Sequence, residues 1–211
     1  MAAWGGRFRD CDDGHMDEVR QAYAARADEY IAKLGSMEAM AATDRDLIAE
    51  WGLGIAGPVV DLGAGPGHWT AHLHGRGVEI AGIDPVAEFV AHARRRFPGV
   101  DFHAGGVVDL APDGNLGGIL AWYSLIHLPP DQLDAALLHC FRALRSGGSL
   151  LLGHFVADGL RPFDHAVVTA YAWPLPWIAQ RVGEAGFQVV EQHTRQGPGS
   201  RRHGDLAAVR P

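Results

Sequence analysis

The sequence has 211 residues, 47% apolar and 20% charged, which suits one globular domain over residues 1–211 with a sizeable core. The net charge of −7 argues against nucleic-acid binding, and no stretch reaches the roughly 18 apolar residues of a membrane span. Cys11 and Cys140 are distant from each other and suggest neither a disulfide framework nor a zinc site. The N-terminus lacks a hydrophobic signal core, so a cytoplasmic location is expected.

The segment 1–52 is predicted to be helical after a polar, loose start at residues 1–14. Apolar and aromatic residues recur at spacings of three and four from Met16 to a break at Gly35. A second helix is predicted from about Met37 to Trp51. A stripe of this kind packs against a core by default. The residues of the first stripe are Val19, Tyr23, Ala27 and Tyr30.

The stretch that organises the chain is VVDLGAGPGHWT, residues 59–70, which predicts a short buried strand, a glycine-rich turn and a helix. Asp61 lies near the carboxyl end of the strand, where ligands bind in open α/β sheets. The glycine spacing is G-x-G-x-G. The dinucleotide fingerprint G-x-G-x-x-G would need a third glycine where His68 stands, and the absence of a Walker lysine excludes a P-loop.

A second strand is predicted from Val78 to Asp84, and a helix is predicted to begin at Pro85, a favoured first helical residue. An acid at the tip of the second strand is the expected ribose-binding residue, accepting both hydroxyls. Asp84 can also cap the helix that follows, and the two roles are compatible.

The rest of the chain continues the alternation of strands and helices that is typical of a parallel sheet. A helix with an apolar face is predicted after Pro129, and another after Trp177. The segment near residues 157–177 is less regular and reads as an insertion. The remaining strands are predicted at Val100–Ala104, Gly117–Tyr123, Ser149–Phe155, Phe187–Gln192 and His203–Val209.

Several of these motifs resemble class I S-adenosylmethionine-dependent methyltransferases. The order D-L-G-x-G-x-G resembles their motif I, FRALRSGGSLLLGHF their post-core segment, and AWYSLIHLPP small members of methyltransferase-domain type 11/25. The resemblance implies an α/β, Rossmann-like, doubly wound sheet of seven mostly parallel strands with helices on both faces. In this scheme residues 53–211 are the cofactor-binding core. The pattern Tyr23-x-x-x-Ala27-x-x-Tyr30 resembles a helix that often closes over cofactor or substrate, so the N-terminal helices are a candidate lid.

The family resemblance implies S-adenosyl-L-methionine as cofactor and S-adenosyl-L-homocysteine as product. In the family an acid after the third strand often binds the adenine amino group, and Gly106 occupies that position here. The adenine would therefore be bound by backbone groups of Gly106 and Val107, or by the side chain of Asp109. The implied cofactor-binding residues are Asp61, Gly63, Ala64, Gly65, Pro66, Gly67, Asp84, Pro85, Gly106, Val107, Ala121, Trp122 and Tyr123.

His127 is the leading candidate for a catalytic base, because it follows the fourth strand and histidine titrates near neutrality. The alternative is a structural imidazole bonded to the backbone at a helix start. Tyr23, Tyr30, Trp173 and Trp177 are candidates for an aromatic pocket over the sulfonium and substrate, or else ordinary core. No spacing of Asp, Glu and His indicates a metal site.

The predicted function is methyl transfer to an oxygen, nitrogen or carbon atom of a small-molecule acceptor, by a monomer or homodimer. A protein that binds S-adenosylmethionine or S-adenosylhomocysteine without catalysis is the first alternative. A dinucleotide-dependent oxidoreductase is the second, and His68 in place of the third glycine counts against it.

Overall fold

The computed structural model describes residues 13–197 and 199–211, so the predicted loose start up to residue 12, with Cys11, lies outside the described residues. The helices are α1 Asp13–Ala25, α2 Ala27–Leu34, α3 Ala42–Leu53, α4 His68–His74, α5 Ala87–Arg96, α6 Pro130–Ala143 and α7 Leu175–Glu184. The strands are β1 Val59–Leu62, β2 Ile80–Asp84, β3 Asp101–Ala104, β4 Leu116–Trp122, β5 Leu144–Val156, β6 Arg161–Phe163, β7 Ala170–Trp173, β8 Gln188–Arg195 and β9 His203–Val209.

Five parallel strands in the order β3-β2-β1-β4-β5 form the centre of the sheet. Strand β9 lies antiparallel to β5 from the pair Ser149–Val209 to the pair Phe155–His203, and β8 lies antiparallel to β9. Every residue of β1 is buried, as expected for a parallel strand with both faces covered. The prediction of a Rossmann-like, mostly parallel sheet is therefore confirmed.

Within residues 13–197 and 199–211 the sheet has nine strands rather than the predicted seven, because the insertion near residues 157–177 contains two short strands. Strand β4 pairs with β5 only as far as Gly153, which leaves the last residues of β5 without a neighbour on that side. Strand β7 takes that place, pairing parallel with Phe155 and Val156, and β6 pairs antiparallel with β7. The insertion thus extends the sheet beside the carboxyl end of β5.

Helices cover both faces of the sheet. In β4, Ile119 packs into one apolar cluster with α6 and α7, whereas its neighbour Leu120 packs into a second cluster with Ile48 of α3 and Leu73 of α4. Side chains that alternate across a strand account for this division. None of the described helices is both long and apolar enough to cross a bilayer.

Several helix boundaries differ from the predicted ones. The helix predicted from Met16 to Gly35 is divided in two at Arg26, and the second predicted helix begins with a separate 3-10 turn at Met37–Ala39. Helix α5 begins at Ala87 rather than Pro85. The Asp84 carboxylate accepts a hydrogen bond from the Val86 backbone. This bond holds Pro85 and Val86 in a turn, so the helix starts only at Ala87.

Candidate active site

The loop after β1 depends on glycine at two points of close approach. Gly63 has φ of 72°, and a Cβ there would lie 2.3 Å from Cβ of Ser124. Gly67 has φ of 87°, and a Cβ there would lie 2.7 Å from Cβ of Ala93 and from the ring of Phe102. Side chains at these two positions would push β1 and α4 away from their neighbours. Packing therefore requires glycine at the first and third positions of the G-x-G-x-G pattern.

The Asp84 carboxylate ties this loop to the tip of β2. One carboxylate oxygen accepts a hydrogen bond of 2.7 Å from the Gly65 backbone, and the other accepts one of 2.8 Å from the Val86 backbone. Burial raises the pKa of Asp84 to about 6, while the two backbone donors oppose that rise. Helix α5 is capped at Val86 rather than at Asp84 as predicted, so the Asp84 side chain forms a turn before the helix and lies on the wall of a cavity.

Asp61 does not line the cavity that Asp84 borders. Its carboxylate is buried and accepts a hydrogen bond of 2.7 Å from the Thr70 hydroxyl, so it fastens β1 to α4. Burial raises the pKa of Asp61 to about 7, and the nearby Asp84 carboxylate acts in the same direction. The structure therefore gives Asp61 a supporting position beneath the loop, although the sequence predicts direct contact with the cofactor.

Two adjoining cavities lie at the carboxyl ends of the central strands, with volumes of about 290 Å³ and about 100 Å³. They share the loop glycines Gly63 and Gly65 and several aromatic walls. The predicted site residues that line them are Tyr23, Tyr30, Gly63, Ala64, Gly65, Pro66, Asp84, Pro85, Trp122, Tyr123 and His127. The predicted residues that line neither are Asp61, Gly67, Gly106, Val107, Ala121, Trp173 and Trp177.

Tyr23 and His127 meet at the smaller cavity, although they are 104 positions apart in the sequence. The Nδ1 atom of His127 lies 2.8 Å from the carbonyl oxygen of Thr169. Since a carbonyl can only accept, Nδ1 carries the proton, and Nε2 is left to accept the Tyr23 hydroxyl at 2.8 Å. The hydrogen bond from His127 to the backbone, expected if the imidazole is structural, is thus present. The same bond leaves Nε2 unprotonated, which is the tautomer that a base requires.

Burial keeps both members of this pair uncharged. It lowers the pKa of His127 to about 4, and the neighbouring His165 and His15 add to that effect. It raises the pKa of the Tyr23 hydroxyl well above its usual value, assisted by Tyr30 and Asp84. The resting pair is therefore a phenol donating to a neutral imidazole.

A polar network that sequence reasoning missed supports the other wall of the larger cavity. Tyr123, which follows β4, has φ of 58°, a strained conformation for a bulky residue. Its hydroxyl lies 2.6 Å from Nδ1 of His203. Arg195 donates a hydrogen bond of 2.6 Å to the Asp44 carboxylate and lies 3.4 Å from the Tyr123 hydroxyl. Asp44, Tyr123 and the β8–β9 pair Arg195–His203 come from three separate regions of the chain, so no local sequence pattern predicts their contacts.

His68 also lines the larger cavity, and its role was not predicted. Its side chain is buried, with both ring nitrogens lacking a hydrogen-bond partner within the described part of the chain. Burial lowers the pKa of His68 to about 4. The only sequence signal was its position at the start of α4, beside the glycine loop.

The two tryptophans predicted for the substrate pocket lie elsewhere. Trp173 is completely buried in the core and stacks on His154 with ring centroids 5.5 Å apart. Trp177 lies against Trp173 with ring centroids 6.3 Å apart. The alternative of ordinary packing fits them, because β7 is drawn into the sheet and turns Trp173 inward. Aromatic walls of the larger cavity come instead from Trp69, Trp122 and Phe155.

The turn after β3 shows how the predicted adenine contacts are arranged in this structure. The Asp109 carboxylate accepts a hydrogen bond of 2.9 Å from the Gly106 backbone and closes the turn on itself. Val107 packs against the core. The Gly106 N–H and the Asp109 carboxylate, both candidates for binding adenine, are therefore bonded to each other in this structure.

Comparisons with known proteins show what this chain is similar to. Residues 59–148 match the family model of a methyltransferase domain. The fold is similar to that of 1,6-didemethyltoxoflavin-N1-methyltransferase from Burkholderia thailandensis, with a TM-score of 0.78 and 21% identity over 99% of this chain and 94% of that one. Residues 59–148 thus match a methyltransferase domain, and this match supports the resemblance to class I S-adenosylmethionine-dependent methyltransferases that the motifs predict.

Among individual relatives, the trans-aconitate 2-methyltransferase of Methylobacterium nodulans is 35% identical over 143 residues, which are 66% of this chain and 54% of the relative. The malonyl-[acyl-carrier protein] O-methyltransferase of Enterobacter lignolyticus is 30% identical over 102 residues, or 48% of this chain and 40% of the relative. The chain thus spans about half the length of the curated relatives it matches.

Proposed function

We propose that this protein transfers a methyl group from S-adenosylmethionine to a small-molecule acceptor. The proposal rests on the position of two groups at the same cavities. The glycine loop, held by Asp84, borders the cavities, and the Tyr23–His127 pair lines the smaller of them. One wall suits a nucleoside and an amino acid, and the other suits a group that must lose a proton.

The residues present fit S-adenosylmethionine. Asp84 faces the smaller cavity with a carboxylate that can accept from ribose hydroxyls, and Gly65 presents open backbone, since no atom lies within 4 Å of the position that a Cβ would take there. The rings of Tyr23, Tyr30, Trp122 and Tyr123 border both cavities, and such rings attract a cation over their faces. The bound cofactor supplies an electrophilic methyl group on a sulfonium.

The Tyr23–His127 pair can receive the acceptor's proton. A hydroxyl or N–H group beside Tyr23 would pass its proton to the Tyr23 oxygen while the proton of Tyr23 moves to Nε2 of His127. The Nδ1–H bond to the Thr169 carbonyl stays in place and orients the ring. Because methyl transfer discharges the sulfonium, a proton held by His127 leaves the net charge of the buried site unchanged.

Calorimetric titration with S-adenosylmethionine, S-adenosylhomocysteine and NAD⁺ tests the binding half of the proposal. We expect binding of the first two and none of NAD⁺, since His68 stands where a dinucleotide fingerprint has its third glycine. Binding of NAD⁺ without binding of S-adenosylhomocysteine would overturn it. Incubation with methyl-labelled S-adenosylmethionine and a small-molecule extract tests the transfer half, and a protein that binds without any labelled product would be a binding module.

A further inference from the structure

The larger cavity has an unusual charge balance. Among the described residues, its lining includes one carboxylate, Asp44, and no lysine or arginine. The Asp44 carboxylate is already paired with Arg195, which does not itself line the cavity. An anionic guest would therefore find no free cation there, and burying an unpaired carboxylate is costly.

The smaller cavity does not supply the missing cation. Among the described residues that line it, Arg20 is the one with a guanidinium. The Arg20 side chain is 45% exposed and forms a salt bridge of 3.0 Å with Asp17 on the same helix. Asp84 adds a carboxylate to the same wall. The combined space is thus neutral to negative at the points where an acceptor would lie.

The histidines of the larger cavity do not provide positive charge either. His68, His165 and His203 all line it, and burial is the first cause that lowers the pKa of each. Near neutral pH they are uncharged imidazoles with one donor and one acceptor nitrogen each, and Nδ1 of His203 is already bonded to the Tyr123 hydroxyl. Nδ1 of His165 has no hydrogen-bond partner among the described residues, so it can bond to a guest.

Aromatic rings surround the acceptor end of this space. The ring of Phe155 lies 5.1 Å from Tyr123, 5.3 Å from His203 and 6.0 Å from His165, measured between centroids. The ring of His165 lies 5.4 Å from that of His127, which connects this group to the proton-accepting pair. Rings at such distances make offset and edge contacts, and a flat guest would gain the same contacts.

We infer that the acceptor is an uncharged, planar aromatic or heteroaromatic compound with a ring hydroxyl or ring N–H, rather than a polycarboxylate. The inference rests on the proposed methyl transfer and names its substrate class. In the transfer, a bond forms between the acceptor oxygen or nitrogen and the methyl carbon while the carbon–sulfur bond breaks and its electron pair stays on sulfur. The acceptor's proton moves through Tyr23 to His127.

Matched pairs of compounds that differ by one carboxylate test this inference. Binding of 2-naphthol and of 6-hydroxy-2-naphthoate is measured by calorimetry on the full chain, with and without S-adenosylhomocysteine, and trans-aconitate is measured in parallel. We expect the neutral naphthol to bind at least roughly ten-fold more tightly than its carboxylated partner, and trans-aconitate to bind least.

A charge introduced into the cavity sharpens the test. His165→Arg should reverse the order of the naphthol pair by giving the carboxylate a partner. His74→Arg makes the same change on the exposed end of α4, outside both cavities, and should leave the order as in the parent. Thermal unfolding of both variants shows whether each is folded.

The outcomes separate the two proposals. Tighter binding of the carboxylated naphthol or of trans-aconitate by the parent protein, or no binding of either naphthol, would overturn the inferred acceptor class. A parent that binds S-adenosylhomocysteine and methylates trans-aconitate would overturn the acceptor class while supporting methyl transfer. A parent that fails to bind S-adenosylmethionine and S-adenosylhomocysteine would overturn the proposed function itself, whichever naphthol it prefers.

Discussion

The two sides of the candidate active site are built in different ways. The cofactor side is local, since Gly63, Gly65 and Asp84 lie within one β–α–β unit and the Gly65 backbone donates a hydrogen bond to the Asp84 carboxylate. The acceptor side is assembled from side chains of remote segments, with Tyr23 bonded to His127 and Asp44 bonded to Arg195 across 151 positions. A local site depends on a few residues that are close in sequence, whereas an assembled site can change its specificity when any of several remote side chains changes.

The largest expected effect is on the acceptor side. Tyr23→Phe removes the hydroxyl that bonds to His127 and should lower the rate of methyl transfer roughly 10²- to 10⁴-fold, the range for loss of a general base. Cofactor affinity should change little, because the ring is kept. The control is Tyr30→Phe, which removes a hydroxyl from the same cavities without touching His127. Equal losses in both variants would contradict a specific role for the pair.

The second effect concerns the packing of the glycine loop. Gly63→Ala places a Cβ in a left-handed conformation 2.3 Å from Ser124 and should lower the free energy of unfolding by about 2–4 kcal/mol. Gly77→Ala has a similar φ of 88° but no atom within 4 Å, so it should cost only about 1–2 kcal/mol. Chemical denaturation measures both. Similar losses would mean that backbone strain alone, and not the close approach, makes glycine necessary.

The third effect is on cofactor affinity. Asp84→Ala should weaken binding of S-adenosylhomocysteine roughly 10- to 100-fold, because charged hydrogen bonds to ribose are lost. In the parent, affinity should also fall as the pH drops below about 6 and the carboxyl is protonated. Asp113→Ala, on an exposed loop, is the control for removal of a carboxylate. Unchanged affinity in the Asp84 variant would leave that residue with its turn-forming role alone.

The fourth effect is the pH dependence of stability, which is small within any one pH unit. The pKa of Asp61 is raised in the folded state, to about 7, so the native protein holds an extra proton between about pH 4 and pH 7. This group's contribution to stability therefore increases as the pH falls through that window, by at most about 1.4 kcal/mol per pH unit. Asp61→Asn should flatten the dependence of the unfolding free energy on pH, and an unchanged slope would contradict the raised pKa.

The same contrast explains what the sequence could predict. Short-range patterns gave the glycine turn and the acid at the tip of β2, and the last strand was predicted with the bounds it has in the structure, His203–Val209. Strands β6 and β7 are three and four residues long. Strand β7 pairs with the end of β5 that extends beyond the last residue paired with β4, and no local sequence pattern predicts this pairing. For the same reason Trp173 was predicted in a pocket and lies in the core.

The acceptor side shows the limit more clearly. Tyr23 and His127 were each predicted as site residues, but their hydrogen bond depends on how α1 docks over the sheet. Asp44, His68 and His203 were not predicted to line the site, because an acid or a histidine on a helix or strand has many ordinary roles. Only the folded chain brings their side chains to one cavity.

A crystal structure with S-adenosylhomocysteine bound tests the division of the site most directly. We expect the ribose hydroxyls within hydrogen-bond distance of the Asp84 carboxylate, and the sulfur facing the junction of the two cavities beside Tyr23. We also expect no aspartate or glutamate carboxylate at the adenine amino group. A ribose remote from Asp84, or an adenine placed against the Tyr23–His127 pair, would contradict the account.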